Sequence, residues 1–198
     1  MKRVTALMFL LFASSALFAQ KRPNEAVVQQ KFLSGGKVSM HLEAGDYTIS
    51  GSESSEIVIT YRADTEEKLK KVRVDIKADG SGADVSVHNT PHNDFHALIE
   101  VPRHSDLWVR LSAGDLEVQD VEGNKDIESH AGDVEIVLPH PEEYGHRDGS
   151  VLAGSIDASA FAISKDGLFR SFRQEGSGKY SFHAHLGAGD LTIRPASL

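Results

Sequence analysis

Histidine is the most conspicuous source of potential chemistry in this chain, which contains ten histidines among 198 residues. His88, His92 and His96 recur at every fourth position, and on a helix this spacing would place three metal ligands on one face. The asparagine, proline and aspartate residues between them are instead typical of a loop that joins two strands. The sequence therefore predicts no three-histidine site in this segment.

A second group, His183 and His185, occupies alternate positions of a predicted strand and would share one face of it. Two imidazoles placed in this way are candidate ligands for a transition metal. The competing interpretation is that both are solvated, with Tyr180 and Phe182 turned toward the core. We favour solvated histidines, and we expect neither a resident metal nor another cofactor.

Catalytic motifs are missing from the sequence. It has no Gly-x-Ser-x-Gly elbow, no His-Glu-x-x-His and no phosphate-binding glycine loop. It also has no cysteine, which excludes disulfides, thiolate catalysis, cysteine zinc sites, iron–sulfur ligation and a lipid-modified N-terminal cysteine. We expect no catalytic residues. The alternative is a β-helix enzyme that acts on an envelope or extracellular polysaccharide through surface carboxylates.

A short motif of Ala-Gly, then Asp or Ser, then an alternating triplet occurs five times. In each copy, glycine supplies a positive-φ corner and aspartate can bond backbone amides of the turn, with Ser155 as a weaker substitute. Glu117 and Glu135 follow two of these corners and are interpreted as solvated strand residues. The predicted structural corners are Gly45, Asp46, Gly114, Asp115, Gly132, Asp133, Gly154, Ser155, Gly189 and Asp190.

The spacing of these corners suggests stacked coils. Gly114, Gly132, Gly154 and Gly189 are separated by 18, 22 and 35 residues, and a period near 20 with insertions placed on the outside is typical of a β-solenoid. In adjacent coils, Asp115 and Asp133 would lie about 4.8 Å apart, which is unfavourable for like charges unless they are compensated. Well-satisfied turns, offset coils and a bound cation each remain open as explanations.

The elements that carry these corners are predicted to be strands. Apolar and polar residues alternate through nearly all of the chain after residue 35, and Gly, Asn, Asp, Ser and Pro clusters bound each run. Helical spacing occurs only at Thr65–Lys70. The sequence predicts one all-β, solenoid-like domain over residues 35–198, preceded by an N-terminal lead-in at 20–34, with an irregular insertion at 159–178.

Residues 1–19 have the pattern of a secretory signal peptide. Lys2 and Arg3 precede the apolar run Val4–Ala13, and small residues lead to a cleavage site after Ala19. The run is shorter than the roughly 20 residues that a spanning helix needs. We expect export to the periplasm or outside the cell, and no integral membrane span in the mature chain.

The charge of the chain bears on its partners. The formal net charge is −8, and removal of residues 1–19 would make it −10, because they hold two basic residues and no acid. Nucleic acids are bound through clustered Lys and Arg, so a nucleic-acid partner is not expected.

Several blocks together resemble a known family. They are Gly35–Met40, Ala44–Gly51, Glu56–Thr60, Ile99–Pro102 with Leu107–Leu111, and the later Ala-Gly-Asp units. These blocks resemble the bacterial "putative adhesin" domain family, which comprises exported proteins of otherwise unknown function. The resemblance covers residues 28–195 and implies a β-solenoid body with Gly-Asp corners. It implies a non-catalytic protein whose repetitive β surface binds an unknown protein or glycan of the cell envelope.

The insertion at 159–178 combines aromatic and basic residues in an otherwise acidic chain. Phe161, Phe169 and Phe172 could cap the open end of the solenoid, near Leu186 and Leu191, since terminal coils must hide their apolar face. Alternatively, residues of this segment could form a contact patch for a partner. That patch would consist of Phe169, Arg170, Phe172 and Arg173. We favour the cap.

Overall fold

The computed structural model describes residues 24–33 and 35–196, and the predicted signal peptide lies outside them. Almost all of the described chain is strand, as the alternation predicted, so the all-β class is confirmed. One helical turn, α1 (Glu66–Leu69), begins after Thr65, whose hydroxyl accepts a hydrogen bond from the Lys68 amide. None of the described helices is long and apolar enough to span a membrane.

The strands follow one another along the chain with short connections. They are β1 (Glu25–Lys31), β2 (Lys37–Leu42), β3 (Asp46–Ser52), β4 (Glu56–Arg62), β5 (Arg73–Ala78), β6 (Gly82–His88), β7 (His96–Pro102), β8 (Asp106–Leu111), β9 (Leu116–Gln119), β10 (Lys125–Ala131), β11 (Val134–Leu138), β12 (Tyr144–Ala153), β13 (Ile156–Ala158), β14 (Ile163–Lys165), β15 (Leu168–Glu175), β16 (Tyr180–Ala188) and β17 (Leu191–Pro195). Single 3₁₀ turns lie at Pro141–Glu143 and Ser159–Phe161.

Two mixed sheets form the molecule, and neither closes on itself. Sheet 1 has nine strands in the order β1-β4-β7-β3-β9-β11-β17-β13-β14. Sheet 2 has eight strands in the order β15-β12-β16-β10-β8-β2-β6-β5. The central strands of both sheets run parallel, and the antiparallel pairings lie toward the edges.

Each Ala-Gly corner joins a strand of sheet 2 to a strand of sheet 1, which gives the pairs β2/β3, β8/β9, β10/β11, β12/β13 and β16/β17. These pairs stack out of chain order, because β16/β17 lies between β10/β11 and β12/β13. The insertion at 159–178 was expected to be irregular, but it forms β14 and β15, which pair antiparallel with β13 and β12 at the ends of the two sheets.

The core lies between the sheets and is filled by alternate residues of each strand. Val38, Met40, Val109, Ile49 and Ile136 are completely buried. Burial of each such side chain stabilises the fold by about 1.5–3 kcal/mol relative to exposure. The residues between them point outward, so each sheet has an outer face on which side chains from neighbouring strands are held at a regular spacing.

Candidate functional site

The glycine corners stack directly on one another at the junction of the two sheets. Gly114 and Gly132 have φ values of 104° and 114°, and the Gly114 amide donates to the Ala131 carbonyl at 3.0 Å. A Cβ atom at Gly132 would lie 2.1 Å from the carbonyl oxygen of Gly114. The corner therefore needs glycine for two reasons, a left-handed backbone and the close approach of the next corner.

The aspartates of these corners form a ladder in which each carboxylate accepts an amide of the neighbouring strand pair. Oδ1 of Asp115 accepts from the Asp133 amide at 3.0 Å, and Oδ1 of Asp133 accepts from the Asp190 amide at 2.8 Å. The amide and hydroxyl of Ser155 both donate to Oδ1 of Asp190 at 2.8 Å, and these bonds hold the pKa of that carboxyl below its usual range. Ser155 thus ends the ladder as a donor, whereas the sequence suggested a weaker acceptor.

Beside the ladder, an open groove of about 780 Å³ crosses the outer face of sheet 1. It is lined by seven adjacent strands of sheet 1, in the order β1-β4-β7-β3-β9-β11-β17, and by the corners that precede some of them. The lining residues with polar or charged side chains are Glu25, Asp46, Tyr47, Thr48, Thr60, Tyr61, Arg62, His96, Asp115, Glu117, Asp133, Glu135, Asp190 and Thr192.

Strand register aligns one row of outward-facing residues, five polar or charged and one apolar, across the groove. The row consists of Thr60, Leu98, Thr48, Glu117, Glu135 and Thr192, one from each of six adjacent strands. At about 4.8 Å per strand, the row is roughly 24 Å long. The groove can therefore accommodate an extended ligand that lies across the strands.

The groove is strongly acidic. Seven carboxylates and one guanidinium line it. Nδ1 of His96 lies 3.3 Å from Oδ2 of Asp46, and Glu135 accepts a hydrogen bond from Arg194. Such a surface favours ligands that carry positive charge or many hydroxyl donors.

The histidines at 88, 92 and 96 do not converge. His88 ends β6 and His96 begins β7, so the segment between them is a loop, as predicted. Nδ1 of His88 lies 3.4 Å from Oε1 of Glu43, whereas His96 faces Asp46, and the two histidines belong to strands of different sheets.

His183 and His185 both lie on the outer face of sheet 2, and each is engaged by a separate neighbour. Nδ1 of His183 lies 2.9 Å from Oδ1 of Asp148, and Nδ1 of His185 lies 2.7 Å from the Ser150 hydroxyl. Both imidazoles therefore already have a hydrogen-bonding partner on β12.

His183 also forms a cluster with two carboxylates that the sequence reasoning did not single out. One ligand atom from each of Asp126, Glu128 and His183 lies within 4.8 Å of the others. The sequence signal was the alternate spacing of Asp126 and Glu128 on one strand, but the neighbouring strand could not be identified from the sequence.

The residues considered for a contact patch divide between core and surface. Phe172 is buried and its ring lies 6.2 Å from that of Phe161, which in turn lies 5.6 Å from the Phe182 ring. Phe169 is 76% exposed and has a φ of 54°. Arg170 is exposed, and Nε of Arg173 donates to Oδ2 of Asp148 at 3.0 Å.

Lys125 is a buried cation that sequence reasoning missed. Its ammonium donates to the carbonyls of Val121 and Gly123 at 2.8 and 3.3 Å, and to the Tyr144 hydroxyl. Burial lowers the pKa of Lys125 to about 7 and raises the pKa of Tyr144. Its position on the inner face of β10 makes it a core residue with no access to the groove.

Comparison with known proteins identifies the fold but no family. No protein-family model and no curated protein matches the chain. A crystal structure of a "putative cell adhesion protein" from Clostridium sporogenes is similar over 88% of this chain and all of that one, with 13% identity and a TM-score of 0.56. A "putative adhesin" and a "putative lipid binding protein", both from Parabacteroides distasonis, align over 86% and 88% of this chain. These alignments cover 70% of the first protein and 97% of the second, with 9% and 7% sequence identity. Their TM-scores of 0.28 and 0.25 are too low to indicate a shared fold. This chain therefore shares its overall fold with the Clostridium sporogenes protein.

Proposed function

We propose that this is an exported, non-catalytic, adhesin-like protein that binds an envelope component in the groove of sheet 1. The partner is a protein or glycan of the cell envelope, and nucleic acid is not a partner. The likeness in fold to a protein named for cell adhesion agrees with this proposal. The leader at residues 1–19 supports a periplasmic or extracellular location.

The observation that carries the proposal is the row of polar side chains across sheet 1. Rigid strands hold Thr48, Glu117, Glu135 and Thr192 at a regular spacing in an open groove. Repeated hydroxyl and carboxylate groups at this spacing suit an extended, repetitive ligand such as a glycan chain.

The environment of the corner aspartates favours binding over hydrolysis. A glycosidase needs one carboxyl group as proton donor and a second as base or nucleophile. The carboxylates of Asp115, Asp133 and Asp190 are instead engaged as acceptors of backbone amides of the neighbouring strand pairs. They are therefore suited to holding the corners, and we assign them that structural role together with the corner glycines.

We further propose that the body is a solenoid-like stack in which β16/β17 is inserted out of chain order. The aligned Gly and Asp corners from Asp46 to Ser155 support this interpretation. The residues at 159–178 would then complete the end of the stack, with Phe161 and Phe172 as the apolar part of a cap.

The groove is tested by glycan-array binding of the mature protein and by pull-down from envelope fractions. Glu117→Arg places a bulky cation in the middle of the row and is expected to weaken binding at least tenfold. Asp84→Arg is the matched control, because it makes the same charge change at an exposed position on β6 of sheet 2. Equal binding by both variants, or no binding by the unmodified protein in either assay, would contradict the proposal.

A further inference from the structure

We propose that Asp126, Glu128 and His183 bind a divalent transition-metal ion on the outer face of sheet 2. Zn²⁺ is the appropriate probe. The three side chains contribute one imidazole nitrogen and two carboxylate oxygens, whose ligand atoms lie within 4.8 Å of one another. Mixed nitrogen and oxygen donors of this kind suit Zn²⁺ better than Ca²⁺, which prefers oxygen ligands alone.

The strand pairing determines the position of all three groups. Asp126 of β10 lies directly opposite His183 of the parallel strand β16, and Glu128 follows two residues later on the same face. Ligands on paired strands are held by the backbone hydrogen bonds of the sheet. The site would therefore form without rearrangement of the backbone.

Asp148 prepares His183 for metal binding. Its Oδ1 lies 2.9 Å from Nδ1 of His183, and its Oδ2 accepts from Nε of Arg173 at 3.0 Å. Because Nδ1 donates to this carboxylate, the lone pair of the imidazole is directed through Nε2. A carboxylate behind a metal-bound histidine is the usual means of orienting the ring and raising its basicity.

Asp126 has an oxygen whose hydrogen-bonding capacity is not satisfied. Its Oδ1 is shielded from solvent and accepts no hydrogen bond from the described residues, although Nη1 of Arg110 lies 2.8 Å away. Oε1 of Glu128 lies 3.1 Å from Nη2 of the same guanidinium. Arg110 therefore offsets the negative charge of both carboxylates, although it gives Oδ1 of Asp126 no well-aligned hydrogen bond. A bound metal ion would compete with this guanidinium for the same two carboxylates.

Small side-chain movements would complete the coordination. Ligand atoms around a tetrahedral Zn²⁺ lie about 3.4 Å apart, given metal–ligand distances near 2.1 Å. The side chains of Asp126, Glu128 and His183 are 44%, 45% and 40% exposed, so other protein atoms do not enclose them. The movement would exchange the contacts of the two carboxylates with Arg110 for contacts with the metal. Three protein ligands leave a fourth position for water or for a donor group of a partner.

The test is calorimetric titration of the untagged full chain with ZnCl₂. We expect one Zn²⁺ per chain, and at least tenfold weaker binding for His183→Ala and for Glu128→Gln. Asp148→Asn should weaken binding by about tenfold or more, as is typical of outer-shell carboxylates. Arg110→Gln should strengthen binding, because it removes the competing cation. Trp108, the sole tryptophan, lies 3.9 Å from the Arg110 guanidinium and reports displacement of Arg110 by fluorescence.

His88→Ala is the matched control, since it removes an exposed histidine at the end of β6 that, like His183, faces a carboxylate. Strand β6 is three strands away from β10 in sheet 2, so zinc affinity is expected to be unchanged. Thermal unfolding of every variant verifies that the fold is retained. Unchanged zinc affinity in His183→Ala would overturn the proposal, as would an equal loss in His88→Ala. No binding by the wild-type chain would overturn it as well.

Discussion

At the scale of single residues, Gly132 has one property that the sequence predicts, a positive φ, and one that it does not, the close approach to Gly114. The recurring Ala-Gly-Asp pattern was sufficient to predict a positive φ, because few other residues adopt that conformation without strain. The 2.1 Å approach that a Cβ would make to the carbonyl of Gly114 depends on which corner stacks on which. That information belongs to the tertiary structure, and so does the ladder of aspartate carboxylates on neighbouring amides.

Lys125 leads to a prediction about pH. Its pKa is about 7 in the folded protein, against about 10.4 in an unfolded chain. Between these values the unfolded state binds the extra proton, so the free energy of unfolding rises with pH, by about 1.4 kcal/mol per unit at most. Lys125→Met should remove this rise. Urea unfolding between pH 7 and 9.5 measures the difference, below the range where Tyr144 contributes.

The expected signature is a wild-type midpoint that increases with pH across this window, relative to a flatter profile in Lys125→Met. Parallel profiles for the two proteins would show that the buried ammonium remains charged throughout. Sequence reasoning missed this residue because Lys125 occupies an inward position of β10. Nothing local distinguishes it from an exposed lysine.

At the scale of elements, β15 contains a matched pair of phenylalanines with opposite environments. Phe172 is 6% exposed and packs on Phe161, whereas Phe169 is 76% exposed. Phe172→Ala should lower the free energy of unfolding by about 3–5 kcal/mol, the usual cost of truncating a buried aromatic residue. Phe169→Ala should change it by less than about 0.5 kcal/mol. Urea denaturation of both variants measures this, and a small effect at Phe172 would argue against a capping role.

Strand β15 also shows why the alternation of apolar and polar residues predicted where strands occur better than it predicted how they pair. Period-two patterns located most of the strands, since one face of each must be apolar. In β15 the inward residue Phe172 is flanked by exposed positions on an edge strand, so the pattern there is weak and the segment was expected to be irregular. The cluster of Asp126, Glu128 and His183 could not be predicted either, because Asp126 lies beside His183 only through the pairing of two strands that are far apart in the sequence.

At the scale of the whole molecule, the position of β16/β17 makes the end of the chain structurally central. In a stack wound in chain order, each unit contacts only its neighbours, and loss of the last unit leaves the rest folded. Here β16 pairs with both β10 and β12, and β17 pairs with both β11 and β13. The last strands of the described chain therefore join two parts that are otherwise separated in the sheets.

Truncation after Gly178 tests this arrangement. Removal of β16 and β17 leaves β12 and β13 without their parallel neighbours, and it removes Phe182 from the ring of Phe161. Amide hydrogen exchange should then show loss of protection across residues 144–175. The strands from β2 to β9 should keep more of theirs, because their own neighbours remain. The full-length mature chain is the control. If β12 kept its protection in the truncated protein, β12 to β15 would fold as an independent unit, and the interlocked order of the sheets would not be what stabilises this end of the molecule.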